Sequence, residues 1–391
     1  MLKIILPSKR RNNLFMRILL TMLSPFLLYQ SLSAQTQRAR DLGLRIGVLS
    51  PGKWNAITDV PGVKVGHTTL NEGDSVHTGV TAIIPADGNV FQRKVAAGIF
   101  VGNGFGKMAG STQVQELGNI EVPIVLTNTL SVGAAIQAVV EYTLHQKGNE
   151  EVYSVNAVVG ETNDVELNDI RGMHVKKEHI WQAISSAHTG PVEEGCVGAG
   201  TGTTCFGFKG GIGTASRKLP ASLGGYTVGV IVQTNFGGVL EIDGVPVGKE
   251  LGKYYLSDKL NDPVDGSCMM IVATDAPLDS RNLGRLAKRA FMGLAKTGGI
   301  ASNGSGDYVI AFSTNDSTRI PHQPAGPVQT VETLHNDFTS PLFMAAIEST
   351  EEAIINSLLA AKTTKGSKYG TVEAIPMDKL IQVLKKYNRI K

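Results

Sequence analysis

The chain has 391 residues, 42% hydrophobic and 18% charged, a globular composition that excludes a disordered or low-complexity protein. Its formal charge of +3 comes from the N-terminus, where 1–34 holds Lys3, Lys9, Arg10, Arg11 and Arg17 and no acid. The remainder carries 32 basic against 34 acidic residues, so its charge favours neither nucleic acid nor an anionic membrane as a partner.

The first 34 residues read as a secretory leader. A basic start precedes the apolar run Ile18–Leu28, which Pro25 interrupts, and Ser31-Leu32-Ser33-Ala34 offers a small-residue cleavage site before Gln35. The run is short for a membrane span. Residues 35–391 are expected to form one intertwined domain, exported to a periplasm or secreted, with no membrane contact once the leader is removed. Cys196, Cys205 and Cys268 have no metal-ligand spacing, and the apolar surroundings of the last two read as those of small buried hydrophobes. No metal or cofactor is expected.

In chain order, Ile57–His67 alternates around a Pro-Gly turn and predicts short strands. His67 suits catalysis, though a polar residue on a strand face is more often solvated or capped. Strands are predicted at 78–85 and 94–101, followed by the glycine-rich Gly102-Asn103-Gly104-Phe105-Gly106-Lys107. That loop lacks phosphate-loop spacing and suits close approach of a backbone to substrate or to a neighbouring chain. A strand at 123–127 precedes a helix that Ser131 would cap, ending near Gly148. A strand at 152–159 leads to Gly160-Glu161-Thr162-Asn163-Asp164, a carboxylate at a strand end that suits a pocket or simply an acidic turn.

Residues 196–217 are the most glycine-dense, without the strand–helix context of a dinucleotide fingerprint. The strand at 226–234 ends in Asn235, whose amide would donate to a developing oxyanion; local sequence alone favours a left-handed turn. Asp265-Gly266-Ser267 then opens the apolar run Cys268–Ala273, a strand buried on both faces. A serine there becomes its own catalyst if the preceding bond is cut, because the freed α-amine, with a reference pKa of about 7.7–8.0, would deprotonate its hydroxyl. Gly266 would tolerate the strained backbone that self-cleavage needs. Beyond come a helix over 283–294 closed by Gly298-Gly299, the turn Asn303-Gly304-Ser305-Gly306-Asp307, a strand at 308–312, a long helix over 341–361 and a last helix from Met377.

These motifs, in this order, resemble the DmpA/BapA-type family of N-terminal-nucleophile aminopeptidases, which comprises L-aminopeptidase/D-esterase-amidases and β-peptidyl aminopeptidases. The resemblance rests on Ile57–His67, Val159–Thr162, Gly198–Arg217, Gln233–Gly238, Gly266-Ser267 with Ala273–Leu278, and Gly304–Asp307, and covers nearly all of the chain after the leader. It implies an α/β (α+β) four-layer αββα sandwich of two mixed sheets between helical layers. It also implies a precursor cut at Gly266–Ser267 into 35–266 and 267–391, assembled as a homo-oligomer. Ser267 would be the nucleophile and Asn235 the oxyanion donor. Ser305 and Asp307 would hydrogen-bond around the Ser267 amine and hydroxyl, and Glu161 would bind the free amine of a short peptide, amide or ester. Two departures touch specificity: Asn163 stands where some relatives have Tyr, and Asp307 where others have Glu. The alternatives are a self-cleaving acyltransferase, a Ser-His-Asp hydrolase without a nucleophile elbow, and an unprocessed exported binding protein.

Overall fold

The apolar runs at 227–235, 265–274 and 304–313 show little polar alternation, so each must be covered on both faces. In the computed structural model, which describes residues 37–257, 265–366 and 370–391, they form the middle of a large mixed sheet. Its order is β10 (Ile212–Lys218), β11 (Thr227–Asn235), β12 (Asp265–Thr274), β13 (Gly304–Ser313), β3 (Arg93–Gly104) and β14 (Ile320–Pro321), with β5 (Asn119–Ile120) also on β3. A smaller sheet runs β1 (Lys64–Glu72), β2 (Val76–Ile84), β6 (Ile124–Asn128), β7 (Val158–Thr162) and β4 (Met108–Ala109). A hairpin of β8 (Thr204–Cys205) and β9 (Phe208–Lys209) stands apart from both.

Both sheets are mixed because each holds one parallel pair, β12 with β13 and β6 with β7. A parallel pair needs a long crossover. The first is made by α5 (Ser280–Lys296), and the second includes α2 (Val132–Leu144). Helices α5 and α6 (Ser340–Leu359) pack on the large sheet, and α2 and α3 (Lys177–Ser185) on the small one, giving the expected four layers. Shorter helices are α1 (Ser111–Leu117), α4 (Val247–Glu250) and α7 (Met377–Lys386), the last burying Leu380 and Leu384 in the core beneath α6.

Strand alternation sorts the two cores. Along β12, Cys268, Met270 and Val272 join the core under α5 and α6, whereas Met269, Ile271 and Ala273 fill the space between the sheets. The sheets touch where Gly160 of β7 lies over Met269, since a Cβ at Gly160 would come 2.9 Å from the Met269 sulfur. Helix α5 starts where Asp279 accepts from Asn282 N at 2.7 Å and stops before Gly298, which takes φ +87°.

Several boundaries differ from the sequence reading. Residues 57–59 form a 3-10 turn rather than a strand, because Asp59 gathers the N–H groups of Trp54 and Ala56 and the Ser216 hydroxyl. The cap before α2 is Asn128, whose Oδ1 accepts from Ser131 N at 3.0 Å, while the Ser131 side chain makes no cap bond. Strand β7 begins six residues later than expected, with Asn156 N bonded instead to the Glu121 carboxylate, and runs through Thr162, so Glu161 lies within the ladder opposite Thr127. The leader and the approach residues 261–264 fall outside the described residues.

The N-terminal segment is locked to the C-terminal half by buried charge. Arg217, at the end of β10, meets Glu348 at 2.9 Å and Glu352 at 2.7 Å on α6 and donates to the Ile46 carbonyl, and Arg40 pairs with Glu352 from the other side. All three cysteines are free, Cys205 and Cys268 buried as expected.

Candidate active site

Ser267 is the third residue of β12, so its side chain shares the inter-sheet face with Met269 and Ile271. Across the antiparallel ladder it faces Asn235 of β11, and across the parallel ladder Gly306 of β13. Its hydroxyl donates to the Gly266 carbonyl at 2.5 Å and accepts from Gly306 N at 3.3 Å. The residue is 4% exposed.

Gly266 is required by space rather than by strain. It does not adopt a left-handed φ, but a Cβ there would lie 2.8 Å from Phe236 Cα and 3.0 Å from the Asn235 carbonyl oxygen.

Asn235 is in extended strand backbone, which removes the left-handed-turn alternative. It is 8% exposed, and its Oδ1 accepts from Thr204 N at 2.9 Å. That bond fixes which way the amide points. Its Nδ2 has no hydrogen-bond partner among the described residues and sits on the Ser267 face of the sheet.

Ser305 and Asp307 fall on the other face. They share the alternation of Val309 and Ala311, which pack under α5 and α6, and register beside Gly266 and Cys268 rather than beside Ser267. Both are buried. Ser305 and the Cys268 N–H face the Asp307 carboxylate without reaching hydrogen-bonding geometry, and burial pushes its pKa up to about 6. The Ser267 hydroxyl therefore contacts neither; its partners are Gly266 and Gly306.

Glu161 stands on β7, one residue from the Gly160–Met269 contact that joins the sheets. It is buried; Oε1 accepts from Lys107 N at 2.9 Å and Oε2 from the Thr129 hydroxyl. The loop that carries Lys107 is stitched to the neighbours of Ser267. Phe105 N donates to the Ser305 carbonyl at 3.1 Å, Asn103 Nδ2 bonds the carbonyls of Ser302, Asn303 and Ser305, and Tyr308 OH reaches the carbonyls of Gly104 and Gly106 at 3.1 and 3.0 Å. The loop fits because Gly306 has no side chain: a Cβ there would meet the Phe105 oxygen at 2.8 Å. Asn163 is exposed, and its Oδ1 closes a turn with Val165 N at 3.0 Å.

His67 bonds Thr81 and packs against Gly198, and burial lowers its pKa to about 4, so it is a neutral imidazole at pH 7. Lys107, Thr129, Tyr308 and the Gly306 amide are contributors that the sequence reading passed over. The glycine-rich run 102–107 was the available signal, since a segment so free of side chains invites another backbone to lie against it.

The arrangement supplies a hydroxyl next to a peptide carbonyl, an amide donor across the strand from it, and a buried carboxylate on the facing sheet. Residues 55–372 match the family described as "Peptidase family S58". The chain is 43% identical, over 93% of its length and 96% of the relative's, to a β-peptidyl aminopeptidase BapA of Sphingosinicella microcystinivorans. Among solved structures it resembles a Burkholderia sp. β-aminopeptidase, with TM-score 0.83 and 44% identity over 90% of this chain and 99% of that one. It also resembles the L-aminopeptidase D-Ala-esterase/amidase of Ochrobactrum anthropi, described as a serine aminopeptidase prototype and a variant of the Ntn hydrolase fold. There the TM-score is 0.81 and the identity 37%, over 90% of this chain and 99% of that one. With matches of this extent, the chain belongs to peptidase family S58.

Proposed function

We propose that this protein is an exported serine aminopeptidase that cuts its own chain at Gly266–Ser267 and then uses Ser267 as an N-terminal nucleophile. The observation that carries the reading is the hydroxyl of Ser267, held 2.5 Å from the carbonyl oxygen of the bond to be cut, with Asn235 directly across the ladder.

Self-cleavage begins when Ser267 Oγ adds to the Gly266 carbonyl carbon, and its proton ends on the Ser267 nitrogen, which leaves as the amine. The C–N bond then breaks, leaving an ester to Gly266 and a free Ser267 amine. Water hydrolyses the ester, and Gly266 departs as a carboxylate. In the mature enzyme the amine is the general base for its own hydroxyl, which attacks the acyl carbonyl of a substrate; the leaving amine departs and water releases the acyl group. Asn235 Nδ2 donates to the oxyanion of both reactions, a contribution of about 3–4 kcal/mol to the barrier.

A backbone amine lies in the sheet plane, so once freed it is reachable from the side of Ser305 and Asp307 while the hydroxyl stays on the inter-sheet side. Asp307 then gains the cationic partner that it lacks in the uncut chain, and Ser305 relays or orients the proton. Glu161 receives the N-terminal ammonium of the substrate, and Asn163 borders the pocket. The substrates are short peptides, amides or esters with a free amine. β-Peptides are included because a relative named a β-peptidyl aminopeptidase is 43% identical over almost the full length. The processed fragments assemble as a homo-oligomer in the periplasm or outside the cell.

The test is a denaturing gel of purified wild type beside Ser267→Ala. Wild type is expected as two fragments with activity on L-alanyl and β-alanyl p-nitroanilides, and the variant as one inactive chain. Two fragments from Ser267→Ala would overturn the proposal.

A further inference from the structure

Glu161 is 2% exposed, yet the cation nearest to it is not buried. The Lys107 ammonium stands 3.7 Å from Oε1 on a side chain that is 56% exposed. That distance is within ion-pair range but too long for a hydrogen bond. A carboxylate offers about four acceptor directions. Two are used by fixed donors, Lys107 N on Oε1 and the Thr129 hydroxyl on Oε2. The cation beside Oε1 is a loosely held ammonium on a flexible stem, and no other ion pair to Glu161 occurs among the described residues.

We infer that the Lys107 ammonium is a resident stand-in for the substrate's N-terminal ammonium, held at Glu161 while the site is empty and released to solvent when a substrate amine arrives. The inference rests on the reading of Glu161 as the amine anchor. Two ammonium groups at one carboxylate would compete for the same unused lone pairs and repel each other, so Lys107 and the substrate exclude one another. The substrate prevails because its amine would form a direct, charge-assisted hydrogen bond, whereas the Lys107 contact is long and half-solvated. A peptide with a blocked, uncharged N-terminus cannot make this exchange. It would have to displace Lys107 without replacing its charge, and selection for free amines follows from the competition itself.

The test compares KM of the processed enzyme for L-alanyl and β-alanyl p-nitroanilides among wild type, Lys107→Gln, Lys107→Arg and Glu161→Gln. Removing the competitor in Lys107→Gln is expected to lower KM by up to about fivefold, the upper end of the range of an exposed ion pair. Lys107→Arg keeps the charge and should stay close to wild type. Glu161→Gln should raise KM about tenfold or more, as loss of a charged hydrogen-bond partner does. If Glu161→Gln raises KM while Lys107→Gln leaves it unchanged or raises it, Lys107 is a support rather than a stand-in, and the inference fails with the amine anchor intact. If Glu161→Gln leaves KM unchanged, the anchor itself is misassigned and the inference falls with it.

Discussion

Asn235 faces Ser267 across the β11–β12 ladder, its amide oxygen held by Thr204 N at 2.9 Å. This fixed orientation separates two jobs within one side chain. Oδ1 is structural, and Nδ2 is free for a developing oxyanion. Asn235→Ala removes both, whereas Asn235→Asp keeps the acceptor for Thr204, loses the donor and adds a negative charge on the oxyanion side. Both variants, taken as processed protein, are expected to lower kcat about 100- to 1,000-fold. An Asp variant with near-normal turnover would remove Asn235 from the oxyanion site.

Gly266→Ala addresses maturation alone. The added Cβ would sit 2.8 Å from Phe236 Cα, a backbone atom that cannot swing aside. Overpacking of this kind costs about 1–3 kcal/mol and displaces the scissile carbonyl from the Ser267 hydroxyl. The uncut chain should accumulate, while molecules that do mature turn over normally, because residue 266 is then a released chain end. Time courses of processing on a denaturing gel, with activity per processed molecule, would check both halves.

Asp307 makes the uncut chain sensitive to pH. Its folded pKa is raised from 3.8 to about 6 by burial, so between these values the native state holds a proton that the unfolded state has lost. Stability therefore falls as pH rises from about 4 through 6, by about 3 kcal/mol for this group. In a Ser267→Ala background, Asp307→Asn should be the more stable at pH 8 and show little advantage below pH 4. Denaturant midpoints across that range test it; an Asn variant that is less stable at pH 8 would contradict the assignment.

Arg217 joins what processing would separate. It lies on β10, before the cut, and its carboxylate partners Glu348 and Glu352 lie on α6, after it. Removing one member of a buried ion cluster strands the others without compensation, at a cost of about 3–5 kcal/mol. Arg217→Met should lower the melting temperature of the processed enzyme and release the two fragments from each other at lower denaturant than wild type. Melting curves and size-exclusion in mild urea would register both.

The elements legible in the sequence were those whose signal is local. The unbroken apolar run after Ser267 reads as a doubly covered strand, and the spacing of Leu283, Leu286, Ala287, Ala290 and Leu294 reads as α5. Relations between distant segments were not legible. Glu161 is fixed by Lys107 and Thr129, which lie 54 and 32 residues away, and no periodicity encodes those bonds. The reason for Gly266 lies on the adjacent strand, in Phe236, so a local reading assigned it to backbone strain. Arg217 is held by Glu348 and Glu352 of α6, 131 and 135 residues later, a pairing that nothing local encodes. The split of Ser267 and Asn235 from Ser305 and Asp307 to opposite faces depends on the register that sets Ser267 beside Gly306, and neither strand's composition encodes that register.

The most direct measurement is the intact mass of active wild-type protein, combined with the N-terminal sequence of its smaller piece. Two polypeptides are predicted, the second beginning at Ser267. Full activity in a single polypeptide that is continuous through 266 and 267 would contradict the account at its root.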